Sequence, residues 1–173
     1  MKKLFFTLFV AVLSMSAQAQ EKGDFAVGLH AGATFTEVEF IEKESLTQSC
    51  FGAFAQYNFT DHWRIELEAN YHPMKDHISD FLLGVNMHYL INLNENMKLY
   101  PLLGYAVVFA HSEEYKEGGT VIESDDSTDG GIQLGVGFQY NFPNNWFVSG
   151  EYKYQPGIFA DGHVALAGIG FRF

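Results

Sequence analysis

The residues whose types could do chemistry fall into three groups. The first is a set of charges two residues apart: Arg64, Glu66 and Glu68, then Glu151 and Lys153, with Arg172 near the end. On an extended chain such spacing puts each set on one face. Brought together in an enclosed space, these six would line a conduction path or binding site, or lock into ion pairs. Buried charges demand partners, which favours the network. The second group is acidic: Glu113, Glu114, Glu117, Glu123, Asp125, Asp126 and Asp129. Asp125-x-Ser127-x-Asp129-Gly130 imitates the first half of an EF-hand loop, but its twelfth position is Val136, so the bidentate Glu is missing. A weak cation site at Asp125, Ser127 and Asp129 is the most this spacing offers. A solvated acidic loop is the plainer reading.

The third group is His72, His77, His111 and His163, which lack tight metal-ligand spacing. Ser112 beside His111, and Ser79 beside Asp80 near His77, are the only nucleophile–base pairs. Neighbours on a strand point to opposite faces, so neither pair is assembled by adjacency. The expectation is therefore a chain with no catalytic residues, no cofactor and no metal.

Composition narrows the partners. The chain has 21 acidic and 10 basic residues among 173, a formal charge of −11. Without Lys2 and Lys3 it is about −13, which argues against nucleic acid, whose phosphates require a basic face. The single cysteine, Cys50, excludes an internal disulfide framework. Residues 1–19 read as a signal peptide. Lys2 and Lys3 form its positive end, residues 4–13 its apolar core, and Ala17-Gln18-Ala19 its cleavage site before Gln20. The apolar core is about half the roughly 20 residues that a spanning helix needs. The rest, 20–173, is enough for one domain.

The elements that must position these residues are extended. Eight segments alternate with period two: 24–35, 50–59, 63–72, 81–93, 99–109, 131–142, 146–155 and 163–173. In the third, Trp63, Ile65, Leu67, Ala69 and Tyr71 oppose Arg64, Glu66, Glu68, Asn70 and His72. Short turns at 60–62, 94–96 and 143–145 alternate with longer connections at 36–49, 73–80, 110–130 and 156–162. An even count of strands of about ten residues, with short turns at one end and long loops at the other, is the signature of an antiparallel transmembrane β-barrel.

The polar face decides which side is out. A strand surface facing water should be rich in Lys, Glu and Thr. Here it is mostly Gly, Ala, Ser, Asn, Gln and His, which suits the filled interior of an eight-stranded barrel rather than the outside of a soluble one. Aromatic residues crowd both ends of the apolar face: Trp63, Tyr140, Trp146 and Phe173 at one rim, Phe35, Tyr71, Phe81 and Phe109 at the other. After Phe35 the alternation reverses, with Glu37 and Glu39 in the lipid-facing register. The hydrocarbon should therefore end near Phe35.

With its signal peptide, eight segments and terminal Gly168-Ile169-Gly170-Phe171-Arg172-Phe173, the chain resembles the small OmpA/OmpX-type "porin family" outer-membrane β-barrel proteins. The resemblance implies an up-and-down meander in the cell outer membrane, with outer-membrane lipid and the barrel-assembly machinery as partners. Gly168, Phe171 and Phe173 match that machinery's signal, although Leu166 stands where a polar residue is usual. It also implies a closed lumen. Unlike longer OmpA relatives, this chain would carry no peptidoglycan-binding domain. The leading functional reading is a non-enzymatic barrel with a structural or surface-interaction role, meeting an extracellular partner through loops 36–49 and 110–130. A small-solute or ion pore is the alternative, and a lipid A-modifying enzyme is the third choice.

Overall fold

A computed structural model of the protein describes residues 22–40, 42–75, 78–112, 115–117, 120–122, 125–158 and 160–173. The signal segment 1–19, His77, Glu113, Glu114 and Glu123 lie outside the described residues. The alternating segments form strands β1 (Phe25–Phe40), β2 (Glu42–Asn58), β3 (Trp63–Lys75), β4 (Ile78–Tyr89), β5 (Ile91–Asn92) and β6 (Met97–Ser112). Then follow β7 (Tyr115–Glu117), β8 (Thr120–Ile122), β9 (Asp125–Asn141), β10 (Trp146–Ile158) and β11 (Ala160–Arg172). The sheet runs β4-β3-β2-β1-β11-β10-β9-β6-β5, and pairing of β4 with β6 closes it. Every pairing is antiparallel. With β4 and β5 as two pieces of one stave, this is an eight-stranded barrel. First and last staves meet from Ala26↔Arg172 to Glu37↔Asp161.

The expected alternation holds along the staves. From Phe81 to Leu90 burial switches at every residue. Leu29, Leu67, Leu103 and Val136 are all more than half exposed, on a wall that faces hydrocarbon. The fourth stave departs from one continuous strand. Leu90 leaves the ladder, its amide donates to His62 O (2.7 Å), and its side chain is fully buried. Beyond this break Asn92 is exposed rather than inward.

The short turns follow from their residues. Thr60 Oγ1 accepts from the amides of His62 (3.3 Å) and Trp63 (2.9 Å). Asn94 Oδ1 accepts from Asn96 and Met97, both at 2.9 Å. Asn145 takes the left-handed conformation, φ 66°, which asparagine tolerates better than most residues.

The longer connections differ from open loops. β1 and β2 stay paired to Phe40↔Glu42, β3 and β4 to Lys75↔Ile78, β6 and β9 to Ser112↔Asp125, and β10 and β11 to Ile158↔Ala160. β7 and β8 form a small hairpin of their own. Loss of the lipid pattern marks where hydrocarbon ends. It does not end pairing, because backbone groups bond across a ribbon in water as well as in lipid.

The lumen also holds larger apolar groups than its small-residue pattern implied. Phe54 and Phe147 fill the periplasmic end, their rings 6.1 Å apart. Tyr100 is fully buried higher up. Each needs a glycine opposite. A Cβ on Gly137 would lie 2.2 Å from the Tyr100 ring, and one on Gly170 2.3 Å from that of Phe147. Gly137→Ala should therefore destabilise the barrel by about 1–3 kcal/mol through overpacking. Gly150→Ala, whose nearest neighbour would be 3.9 Å away, should change stability by less than about 0.5 kcal/mol. Urea unfolding in detergent micelles, followed by tryptophan fluorescence, measures both.

Candidate functional site

The inward face of β3 presents Arg64, Glu66, Glu68, Asn70 and His72 in a line up the barrel, and all five are buried. β10 faces them with Glu151 and Lys153, also buried. An eight-stranded lumen is narrow enough for opposite walls to touch. Lys153 Nζ donates to Glu68 Oε2 at 2.7 Å and lies 3.1 Å from Glu151 Oε2. The second contact is ionic rather than a directed hydrogen bond. Amides saturate the carboxylates. Glu68 accepts from Asn70 (2.9 Å), Asn86 (2.9 Å) and Gln133 (2.7 Å). Glu66 accepts from Gln56 (2.6 Å) and Asn86 (3.1 Å). Gln155 donates to Gln133, and His30 bonds Asn70.

Below this layer Arg64 donates from Nη1 to Gln139 (2.6 Å). Its Nε and Nη2 donate to His88 Nδ1 at 3.1 and 2.9 Å. The guanidinium stands 4.6 Å over the Tyr100 ring, which stacks on His88 and donates to Glu151 at 2.8 Å. Arg172 is less enclosed than the other five predicted charges. It lines the periplasmic mouth with Asp24, Lys98 and Arg64. From that mouth up to Lys153, the described inward charges are Arg64, Lys98, Lys153 and Arg172 against Asp24, Glu66, Glu68 and Glu151. The filling is therefore electrically balanced.

Among the described residues, Glu66, His88 and Glu151 bring metal-type donor atoms within 4.8 Å of one another. The bonding of His88 argues against a metal there. Arginine is always a donor, so His88 Nδ1 accepts and Nε2 carries the proton. Nε2 lies 3.7 Å from Glu66 Oε1 without a hydrogen bond, and with its proton in place the ring has no lone pair left for a cation. Nor do His72, His111 and His163, the described histidines among those singled out from the sequence, converge. His72 bonds Asp80 (2.6 Å) and Thr34 (2.9 Å) inside the external mouth. His111 bonds Asp126 (2.6 Å), and His163 lies 2.8 Å from Tyr152 Oη on the outer wall.

The EF-hand-like stretch is corrected by the backbone. Asp125, Ser127 and Asp129 lie in β9, paired with Ser112, Ala110 and Val108. Asp129 Oδ1 accepts from Gly130 N at 2.7 Å. A calcium loop must curl around its ion, whereas this segment is extended because the ribbon outlasts the membrane. Gly168, Phe171 and Phe173 sit on β11. Gly168 packs its backbone against Ser149 and His30. Phe171 meets Trp146 and Phe173 edge-on at 5.3 Å each, at the periplasmic rim.

Taken together, closed staves, an apolar outer wall, aromatic rims and a polar packed lumen define a small outer-membrane β-barrel. Residues 5–173 match the family model described as outer membrane protein beta-barrel domain, and the chain belongs to that family. No curated protein matches it. Among solved structures it is similar to Ail, the attachment invasion locus protein of Yersinia pestis (TM-score 0.63, 18% identity, 88% of this chain and 99% of that one). It is also similar to the N-terminal β-barrel domain of OprF from Pseudomonas aeruginosa (0.63, 16%, 89% and 100%). OprG of the same organism matches too (0.60, 16%, 91% and 99%). At these identities the likeness is one of fold.

The Glu68–Lys153 contact gives a direct test of the network. Lys153→Met leaves a buried carboxylate uncompensated and should cost about 3–5 kcal/mol. Adding Glu68→Gln should recover a large part of that loss, since the contacting pair is not additive. Denaturant titration of both variants in micelles reads the coupling.

Proposed function

We propose that the protein serves as a non-conducting structural barrel whose outer end is presented to partners. The observation that carries this is the network of Glu66, Glu68, Glu151, Arg64 and Lys153, all buried and either paired or hydrogen-bonded inside the lumen. Opening a water path would require breaking several charge-assisted bonds at once. The pore reading has no comparable support, because the inward charges are spent on each other and on the lumen amides, His88 and Tyr100. On this reading the lumen performs no reaction, and residues 1–19 direct export. Gly168, Phe171 and Phe173 hand the chain to the assembly machinery.

The ribbons that begin within 36–49 and 110–130 are the partner-facing parts, offering paired strands with free outer edges. The exported barrel, without Lys2 and Lys3, carries a formal charge of about −13, which sets the kind of partner. One structure of Ail is of its complex with the heparin analogue sucrose octasulfate. An acidic barrel would repel such a polyanion, so a neutral or basic surface is the better match.

Single-channel recording in planar bilayers tests the closed lumen. Purified barrel should give no discrete conductance steps. Regular steps of one size, shifted by Lys153→Met, would establish the pore instead.

A further inference from the structure

The outer wall carries an arrangement that the lumen does not. In the β4–β6 ladder Ser79 lies opposite His111, and in the β6–β9 ladder His111 lies opposite Asp126. Directly opposed residues of antiparallel strands point to one face, their Cβ atoms about 4.5–5.5 Å apart. Ser79, His111 and Asp126 thus form a cross-strand row, with histidine in the middle. That face is the outer one. Phe81 and Phe109, the next outward pair below, are exposed. His111 and Asp126 side chains are 54% and 84% exposed. His111 Nδ1 donates to Asp126 Oδ1 at 2.6 Å, so in the neutral imidazole the free lone pair is on Nε2, and register sets Ser79 beside the ring. Carboxylate, imidazole and hydroxyl are in the order that activates a serine.

We propose that Ser79, His111 and Asp126 form an esterase site on the barrel's outer wall, acting on ester-linked acyl chains of outer-leaflet lipid. The position selects the substrate class. The row stands one outward step above the aromatic rim residues Phe81 and Phe109, at the level where hydrocarbon gives way to headgroups. Phe81, Phe109 and Leu83 beneath it offer an apolar bed for an acyl chain. Ser79 Oγ would attack the ester carbonyl carbon while His111 Nε2 takes its proton. The bond to the alcohol oxygen breaks, and His111 returns the proton to that oxygen. Water, activated by His111, then attacks the acyl-serine, releasing a fatty acid and restoring Ser79. Asp126 is the positioning residue that holds the tautomer.

By contrast, Thr34, His72 and Asp80 make a similar relay inside the mouth. His72 is buried there, away from any lipid. The inference goes beyond the structural role and departs from the expectation of a chain without catalysis.

The test uses the full mature barrel, folded in mixed micelles of detergent and dipalmitoyl phosphatidylcholine, or of detergent and lipopolysaccharide. Fatty-acid release is followed by mass spectrometry, and a long-chain fluorophosphonate marks any activated serine. Wild type should release fatty acid from at least one of the two lipids and carry the label on Ser79. Ser79→Ala and His111→Gln should each lower release at least 100-fold, and Asp126→Asn at least tenfold. Ser49→Ala, on the outer face of β2 two staves from β4, should match wild type. Heat-modifiable migration on gels confirms that every variant is folded. No release from either lipid by folded wild type, or release unchanged in Ser79→Ala, would overturn the proposal.

Discussion

Everything in this protein follows from the need to pair every backbone amide and carbonyl where no water can reach them. Hydrocarbon makes an unpaired edge cost kilocalories per group. The chain meets this by returning its last stave to its first, from Ala26↔Arg172 to Glu37↔Asp161, and by bonding β4 to β6. Closure at eight staves then fixes the lumen diameter, and that diameter dictates what may point inward. Tyr100, Phe54 and Phe147 fit only where Gly137, Gly28 and Gly170 stand opposite. The carboxylates fit only because Asn86, Gln133 and Lys153 reach them from other staves.

The network is thus a consequence of closure rather than a separate device. Glu66 and Glu68 could not be inserted as charges without Lys153, Arg64 and the amides in place, since each bare ion would forfeit its hydration. Breaking such a pair is far costlier than never having had it. The barrel therefore commits its interior to holding register and has little left for ligands. The histidine at its centre illustrates this. His88 gives Nδ1 to Arg64 and keeps its proton on Nε2, 3.7 Å from Glu66, so the imidazole of the most metal-like cluster is committed to the arginine beside it.

Much of this was legible in the sequence because period two in the chain is period two in space. Trp63 to His72 alone gives the wall, the lumen face and the three β3 charges. The turn residues Thr60, Asn94 and Asn145 mark one end. Three things were not legible. In the ribbon above the membrane the alternation reverses after Phe35, which is compatible with a strand continuing in water but does not say how far β1 and β2 stay paired. The placement of Phe54, Tyr100 and Phe147 in the lumen was not legible either, since the glycines that admit them lie on other staves. And Asp125, Ser127 and Asp129 carry a calcium spacing that means something only if the backbone curls.

The serine–histidine pairs show the same limit from the other side. Ser112 follows His111 in sequence, yet consecutive strand residues face opposite ways, and that pair is split by the wall. Ser79 and Asp126 are 32 and 15 residues from His111 in sequence, and registry alone puts them beside it. Registry is set by closure and by the lumen packing, through Gly84↔Ala106 and Leu82↔Val108 a few residues below. A slip of one residue in the β4–β6 pairing would turn Ser79 to the opposite face from His111. The interior network, whose bonds hold only in the native register, therefore determines which polar groups meet on the outer wall. In a barrel this small the lumen cannot spare room for a substrate. What it can do is hold the wall rigid enough to set three residues from three strands in one row at the lipid surface.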